Sequence, residues 1–118
     1  MKSYANLEQS KILSKILPHE SADMHYSKDF DGSWFVDLAE YTSVKIPKYV
    51  GNVEEHLLPC WSLAALLAVL TYPDIKQRYD GNWVCRVENK DTTYLWIDSN
   101  PVDACVAMII KLHELNLL

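Results

Sequence analysis

The chain has 118 residues, of which 49% are apolar, 13 are aromatic and only three are glycine. A chain of this length normally forms one domain, and its apolar and aromatic content excludes intrinsic disorder. Isolated glycines also exclude P-loop and Rossmann nucleotide sites, because both need a glycine-rich loop around the phosphates. We therefore expect a single domain over residues 1–118.

The charge distribution is uneven along the chain. The net charge is −5, and residues 18–59 alone carry eight acidic and three basic residues. A protein that binds nucleic acid usually presents a clustered basic face. The sequence therefore predicts no nucleic-acid partner, whereas an acidic face suits either solubility or a basic protein partner.

The sequence also indicates a compartment. Its first residues lack the apolar stretch of a secretory signal, and its longest apolar run, residues 63–70, is far shorter than the ~18 residues that span a bilayer. Cys60, Cys85 and Cys105 are odd in number and widely spaced, which fits reduced thiols better than a disulfide framework. We expect a cytoplasmic protein that does not enter a membrane.

In chain order, the first predicted element is an amphipathic helix that starts after Asn6 as its N-cap and ends at Pro18. Residues 22–28 and 33–38 then alternate between apolar and polar types. Asp31-Gly32 lies between them and supplies the positive φ of a tight turn. This stretch predicts a β-hairpin.

Residues 39–58 read as a connector. A helix over about 59–71 follows, with Pro59 at its first position and Ser62 as its only polar residue before Thr71. A helix that is apolar all round is normally buried, so we expect this one to be central in the core.

Residues 75–98 repeat the hairpin pattern around Asp80-Gly81, and a last helix follows with Asn100 as N-cap and Pro101 at its first position. The predicted fold class is α+β, with three helices and two antiparallel hairpin or sheet segments.

The two hairpins share a sequence pattern. Residues 30–34 and 79–83 both read aromatic-Asp-Gly-polar-Trp and lie 49 positions apart. Either the pattern records a duplicated unit, or two Asp-Gly turns beside strand aromatics arose independently.

Cys60 is the best candidate for a nucleophile. A thiol in the first turn of a helix has a lowered pKa because it faces free backbone N–H groups, and His56 lies four residues upstream as a candidate base. The alternative is a small buried core cysteine, which is the common state of a free thiol.

Metal and cofactor sites are not expected. The three cysteines and four histidines include no C-x-x-C or H-x-x-x-H pair. Residues 29–32 start like a calcium-binding loop, but Gly32 comes two positions early and no glutamate closes the loop. We interpret Asp31 as a turn residue.

The first hairpin and the connector carry the candidate binding residues. If Trp34 faces inward, alternation places Phe35 outward, and exposed aromatic side chains commonly anchor protein partners. Tyr41 is a second aromatic residue close by in the sequence, and Asp37 and Glu40 add negative charge. The alternative is that these aromatics only pack within the sheet.

Two stretches carry a resemblance. Residues 58–67 (LPCWSLAALL) and 100–105 (NPVDAC), the latter continuing to MIIKLHELNLL, resemble short uncharacterised proteins encoded by phages and integrated mobile elements of gut bacteria. The resemblance covers chiefly the two helices predicted in the C-terminal half and the link between residues 8–10 and 22–24. It implies a mobile-element origin and no particular activity.

The sequence therefore favours a non-catalytic accessory protein that acts through protein–protein interaction, with self-association left open. The alternative is a small thiol-dependent enzyme that uses Cys60.

Overall fold

A computed structural model describes the backbone of residues 2–29, 31–38 and 57–118, and the side chains of these residues except 37 and 38. The elements are helix α1 (Leu7–Leu13), a 3₁₀ turn (His19–Ser21), strands β1 (Met24–Lys28), β2 (Trp34–Leu38) and β3 (Leu57–Cys60), helix α2 (Leu63–Val69), strands β4 (Asp74–Gln77), β5 (Trp83–Asn89) and β6 (Thr92–Asp98), and helix α3 (Pro101–Glu114).

The strands form two antiparallel sheets of three strands each, in the orders β2-β1-β3 and β4-β5-β6. With three α-helices, this architecture confirms the predicted α+β class. Both predicted hairpins form, β1–β2 and β4–β5, and a third strand joins each of them.

The two hairpin turns have the same local geometry. Gly32 and Gly81 both have φ +88°, and each donates its N–H to the carbonyl three residues earlier, Asp29 or Arg78. The Asp before each glycine accepts from the backbone N–H two residues on. The third strand, however, pairs with the first hairpin strand in one sheet and with the second in the other, so the likeness is limited to the hairpin.

The start of α2 differs from the prediction. Residues Leu57–Cys60 form strand β3 on β1, and the helix begins only at Leu63, with Ser62 as the N-cap that accepts from the Ala65 N–H. Ser62 is also held by Asp23, whose carboxylate accepts from both its N–H and its hydroxyl. Pro59 therefore lies in an edge strand, where the missing N–H is tolerated, and not at the first position of a helix.

The main core lies between α3, α2, α1 and β5. Helix α3 buries eight residues and α2 buries two, with Ala64 and Ala68 of α2 exposed. The largest side chain in this core is Trp61, which is fully buried and donates from its indole N–H to the Ser21 hydroxyl. No helix in the described ranges is long and apolar enough to cross a membrane.

Candidate interaction surfaces

Exposed apolar side chains mark the surfaces on which a partner could be held. On strands they occur at one position of β2 and at three consecutive positions of β6, and the others lie in α1, in turns and at the two chain ends. Among the residues that the structure describes, the exposed large apolar side chains are Tyr4, Ile12, Phe35, Tyr72, Tyr79, Leu95, Trp96, Ile97, Leu115, Leu117 and Leu118.

We call the outward part of β2 around Phe35 the first-hairpin surface. Phe35 is 48% exposed and lies opposite Ser27 of β1, as the alternation predicts. Its neighbour Trp34 is half-buried, with the Lys28 ammonium 5.8 Å from the ring centroid. This cation–π contact fixes the start of β2 beside the Asp31-Gly32 turn.

The other three predicted binding residues are only partly located. The backbone of Asp37 pairs with His25 of β1, but its side chain lies outside the described part of the chain. Glu40 and Tyr41 lie wholly outside the described residues. Phe35 is therefore the one predicted binding residue whose side chain the structure places, and the grouping of all four stays a prediction.

Asp31 acts in the turn. Its carboxylate accepts from the Ser33 N–H at 2.9 Å, and this hydrogen bond lowers the pKa of the carboxyl below its ordinary value because it favours the charged form. This geometry agrees with the interpretation of Asp31 as a turn residue.

The second surface was not anticipated from the sequence. Leu95, Trp96 and Ile97 are 60%, 39% and 46% exposed, and together they form what we call the β6 surface. Leu95 and Ile97 lie opposite Arg86 and Val84 on the outer face of the sheet. Trp96 lies on the inner face, opposite the buried Cys85. Three consecutive exposed apolar residues in one strand are unusual because alternation normally buries every second one.

Cys60 is enclosed. It lies in strand β3 and not in the first turn of a helix, so the dipole argument for a lowered pKa was wrong. Its side chain is fully buried, and the thiol donates to the Ala5 carbonyl at 3.5 Å. Burial raises the pKa of the thiol to about 11, against smaller lowering effects of Ser10 and Tyr26. His56, the candidate base, lies outside the described residues.

The other two thiols form a buried pair. Cys85 of β5 and Cys105 of α3 are both fully buried, with their sulfur atoms 4.0 Å apart. The thiol of Cys105 donates to Cys85, and this hydrogen bond together with burial raises the pKa of Cys105. All three cysteines are free thiols, and all three are protected from solvent.

A shallow cleft lies on the outer face of β4 and β5. It has a volume of about 350 Å³ and is lined by Asp74, Lys76, Gln77, Arg78, Val84 and Arg86. Its charges are already paired in part, since Arg86 contacts Glu88 at 2.6 Å and Arg78 contacts Asp80 at 3.7 Å. Within the described ranges, no group of three or more His, Cys, Asp or Glu residues is arranged to hold a metal ion.

Comparison with protein-family models, curated proteins and solved structures gives no match.

The β6 surface shows what the sequence analysis missed. Residues 92–98 (TTYLWID) were interpreted only as part of the hairpin pattern over residues 75–98. A sequence signal did exist, because residues 92–97 contain no charge and no proline in a strand that ends its sheet. The sequence does not show which strand lies at the edge of the sheet, however, because this depends on the order of the strands in the fold.

Proposed function

We propose that this protein is a non-catalytic accessory protein that binds another protein through its first-hairpin surface. The observation that carries the proposal is the exposed Phe35 on the outer face of β2, in the half of the chain that holds most of the acidic excess. An aromatic anchor in an acidic segment of the chain suits a basic partner surface with an apolar pocket. Asp37, Glu40 and Tyr41 complete the proposed surface.

A thiol enzyme is the less favoured function. Nucleophilic catalysis by cysteine needs an accessible thiolate. Cys60 is buried, its thiol donates a hydrogen bond to the Ala5 carbonyl oxygen, and its pKa is raised. These three observations all work against a reactive thiolate at neutral pH.

We also propose a cytoplasmic location and a mobile-element origin. Three free thiols support a reducing compartment, and the resemblance of residues 58–67 and 100–105 to phage-encoded proteins supports the origin. Phage or integrase genes on either side of the coding gene would agree with this origin, whereas a conserved housekeeping operon would argue against it.

Photo-crosslinking tests the proposed surface. Benzoylphenylalanine placed at position 35 should give one discrete crosslinked partner in cells, and the crosslink should weaken in high salt because the contact is partly electrostatic. The matched control places the same residue at position 12, where Ile12 is similarly exposed on α1.

Substitution provides the second arm of this test. The double variant Phe35→Ala, Tyr41→Ala should lose the partner and keep the wild-type melting temperature to within a few degrees, because Phe35 is half exposed. Equal crosslinking from positions 12 and 35, or full retention of the partner by the double variant, would reject this surface.

A further inference from the structure

We propose that β6 is a self-association edge: it pairs antiparallel with β6 of a second copy of this chain, about a two-fold axis at Leu95. Two three-stranded sheets then become one six-stranded sheet. This inference is independent of the proposed partner surface, which lies on the other sheet.

The first argument is the unequal protection of the two edges of the β4-β5-β6 sheet. Edge strands normally avoid unwanted pairing by being short, charged, bulged or interrupted by proline. At one edge, β4 is four residues long and carries Asp74 and Lys76. At the other, β6 is seven residues long, pairs with β5 without a bulge, and has Asp98 at its very end as its only charged residue.

In the β2-β1-β3 sheet, the residues that follow the edge strand β3 are covered by another part of the chain. Directly after β3, Ser62 bridges to Tyr4, and the Ala5 N–H donates to the Trp61 carbonyl at 2.9 Å. The N-terminal residues thus cover the chain as it leaves this edge strand. No strand among the described residues covers the outer edge of β6 in the same way. Within that part of the chain, its outward N–H and C=O groups are a template for pairing.

The second argument is that β6 is self-complementary. Antiparallel pairing about Leu95 uses all seven residues and places Tyr94 opposite Trp96, and Thr93 opposite Ile97, twice each. Aromatic pairs and pairs of β-branched residues are favourable cross-strand neighbours. Asp98 falls opposite Thr92, and the two Asp98 carboxylates lie about 20 Å apart along the strands. No like charges of β6 meet.

The third argument concerns the side chains that remain exposed in the isolated chain. Leu95 and Ile97 lie on the outer face and Trp96 lies on the inner face. In the proposed dimer, Leu95 packs against its own symmetry mate on one face, and Trp96 packs against Tyr94 of the second copy on the other. One interface therefore gives each member of the β6 surface a cross-strand neighbour in the second copy, and the two-fold axis closes the assembly at a dimer.

Charge predicts how the dimer responds to salt. Each copy has a net charge of −5, so two copies repel each other, while the contact itself is apolar and hydrogen-bonded. Added salt screens this repulsion. Self-association is therefore expected to strengthen with salt, the opposite of the response expected for the acidic first-hairpin surface with a basic partner.

Sedimentation equilibrium of the full chain tests the proposal. The wild type should show a reversible monomer–dimer equilibrium between micromolar and millimolar concentration. Leu95→Lys places two ammonium groups opposite each other at the axis and should weaken association by about tenfold or more. The matched control, Ile12→Lys, adds the same charge at an exposed site on α1 and should dimerise as the wild type does.

A register test and a measurement on the wild type complete the experiment. Thr93→Lys and Ile97→Glu should each weaken the dimer, and the double variant should restore it, because these positions face each other only in the proposed register. Concentration-dependent hydrogen exchange should protect β6 amides and leave β4 amides unchanged, and this measurement needs no variant to fold. A monomer throughout, a Leu95→Lys variant that dimerises normally, or open-ended aggregation would overturn the proposal.

Discussion

The carbonyl oxygen of Ala5 accepts from two buried side chains, the Tyr26 hydroxyl at 2.8 Å and the Cys60 thiol at 3.5 Å. This shared acceptor links the N-terminal segment to β1 and β3. Burial raises the pKa of Tyr26 to about 12 and that of Cys60 to about 11. At the residue scale, both groups are therefore neutral donors that hold the fold together.

These raised pKa values predict a loss of stability at alkaline pH. Below an ordinary thiol pKa of about 9, the folded and unfolded states both keep the Cys60 proton, so its contribution is constant. Above pH 9 the Cys60 thiol ionises in the unfolded chain before it ionises in the folded protein. The free energy of unfolding therefore falls as the pH rises from about 9 through about 11. The loss from Cys60 alone is about 2 kcal/mol at pH near 11.

Urea unfolding at neutral pH and at pH near 11 measures this loss. The variant Cys60→Ala should show an alkaline loss that is smaller by about 2 kcal/mol. The control Ile12→Ala removes an exposed side chain without an ionisable group and should behave as the wild type does. An equal alkaline loss in the wild type and in Cys60→Ala would show that the thiol is not held neutral by burial.

Asp103 at the start of α3 accepts hydrogen bonds from three other residues. Although burial on its own raises its pKa, hydrogen bonds from Lys2, Gln9 and Asn100 hold the pKa of this carboxyl below its ordinary value. Lys2 and Gln9 both donate to it at 2.7 Å. This carboxylate joins the N-terminal segment and α1 to the start of α3. Its hydrogen bonds therefore give it a structural role.

At the scale of elements, local chemistry was predictable and long-range pairing was not. The start of α3 followed from Asn100 and Pro101, because a cap acts on backbone groups within one turn. Both hairpin turns followed from Asp-Gly pairs for the same reason. The boundary between β3 and α2 was predicted wrongly, because residues 57–60 become a strand only through pairing with β1, 30 to 36 positions earlier.

The same distinction applies to the candidate surfaces. The outward position of Phe35 followed from alternation within one strand. The exposure of Leu95, Trp96 and Ile97 did not, since it depends on which face of the sheet packs on the core and on β6 being the last strand of that sheet. The amphipathic pattern predicted for the first helix likewise did not show which of its apolar residues are buried: Leu13 is buried, whereas Ile12 is 46% exposed.

The capping of α3 leads to a prediction at this scale. The Asn100 side chain accepts from the Asp103 N–H at 2.9 Å and donates to the Asp103 carboxylate at 2.6 Å. Replacing it with Ala should lower the free energy of unfolding by about 1–2 kcal/mol. Asn100→Ser keeps an acceptor for the N–H and should lose less than half of that amount.

Chemical denaturation of the wild type and the two Asn100 variants checks this expectation. Equal stability of Asn100→Ala and Asn100→Ser would show that the capping bond does not stabilise α3.

At the scale of the whole molecule, the interior and the surface have different roles. The core encloses all three thiols and, within the described residues, its largest side chains are apolar or indole groups fixed by packing. Among the described residues, the exposed large apolar side chains on strands lie on β2 and β6, each of which is an edge strand of its sheet. This division supports an account in which the protein works by binding, through its first-hairpin surface and its β6 edge.

The part of that account that sets the interior apart from any reactive site is tested most directly by the rate at which iodoacetamide labels Cys60 in the folded protein at neutral pH, with the labelled residue identified by mass spectrometry. Because the thiol is buried and its pKa is raised, the account predicts slow labelling that accelerates only when denaturant unfolds the chain. Rapid labelling of Cys60 in native buffer, at or above the rate of a free cysteine, would contradict it.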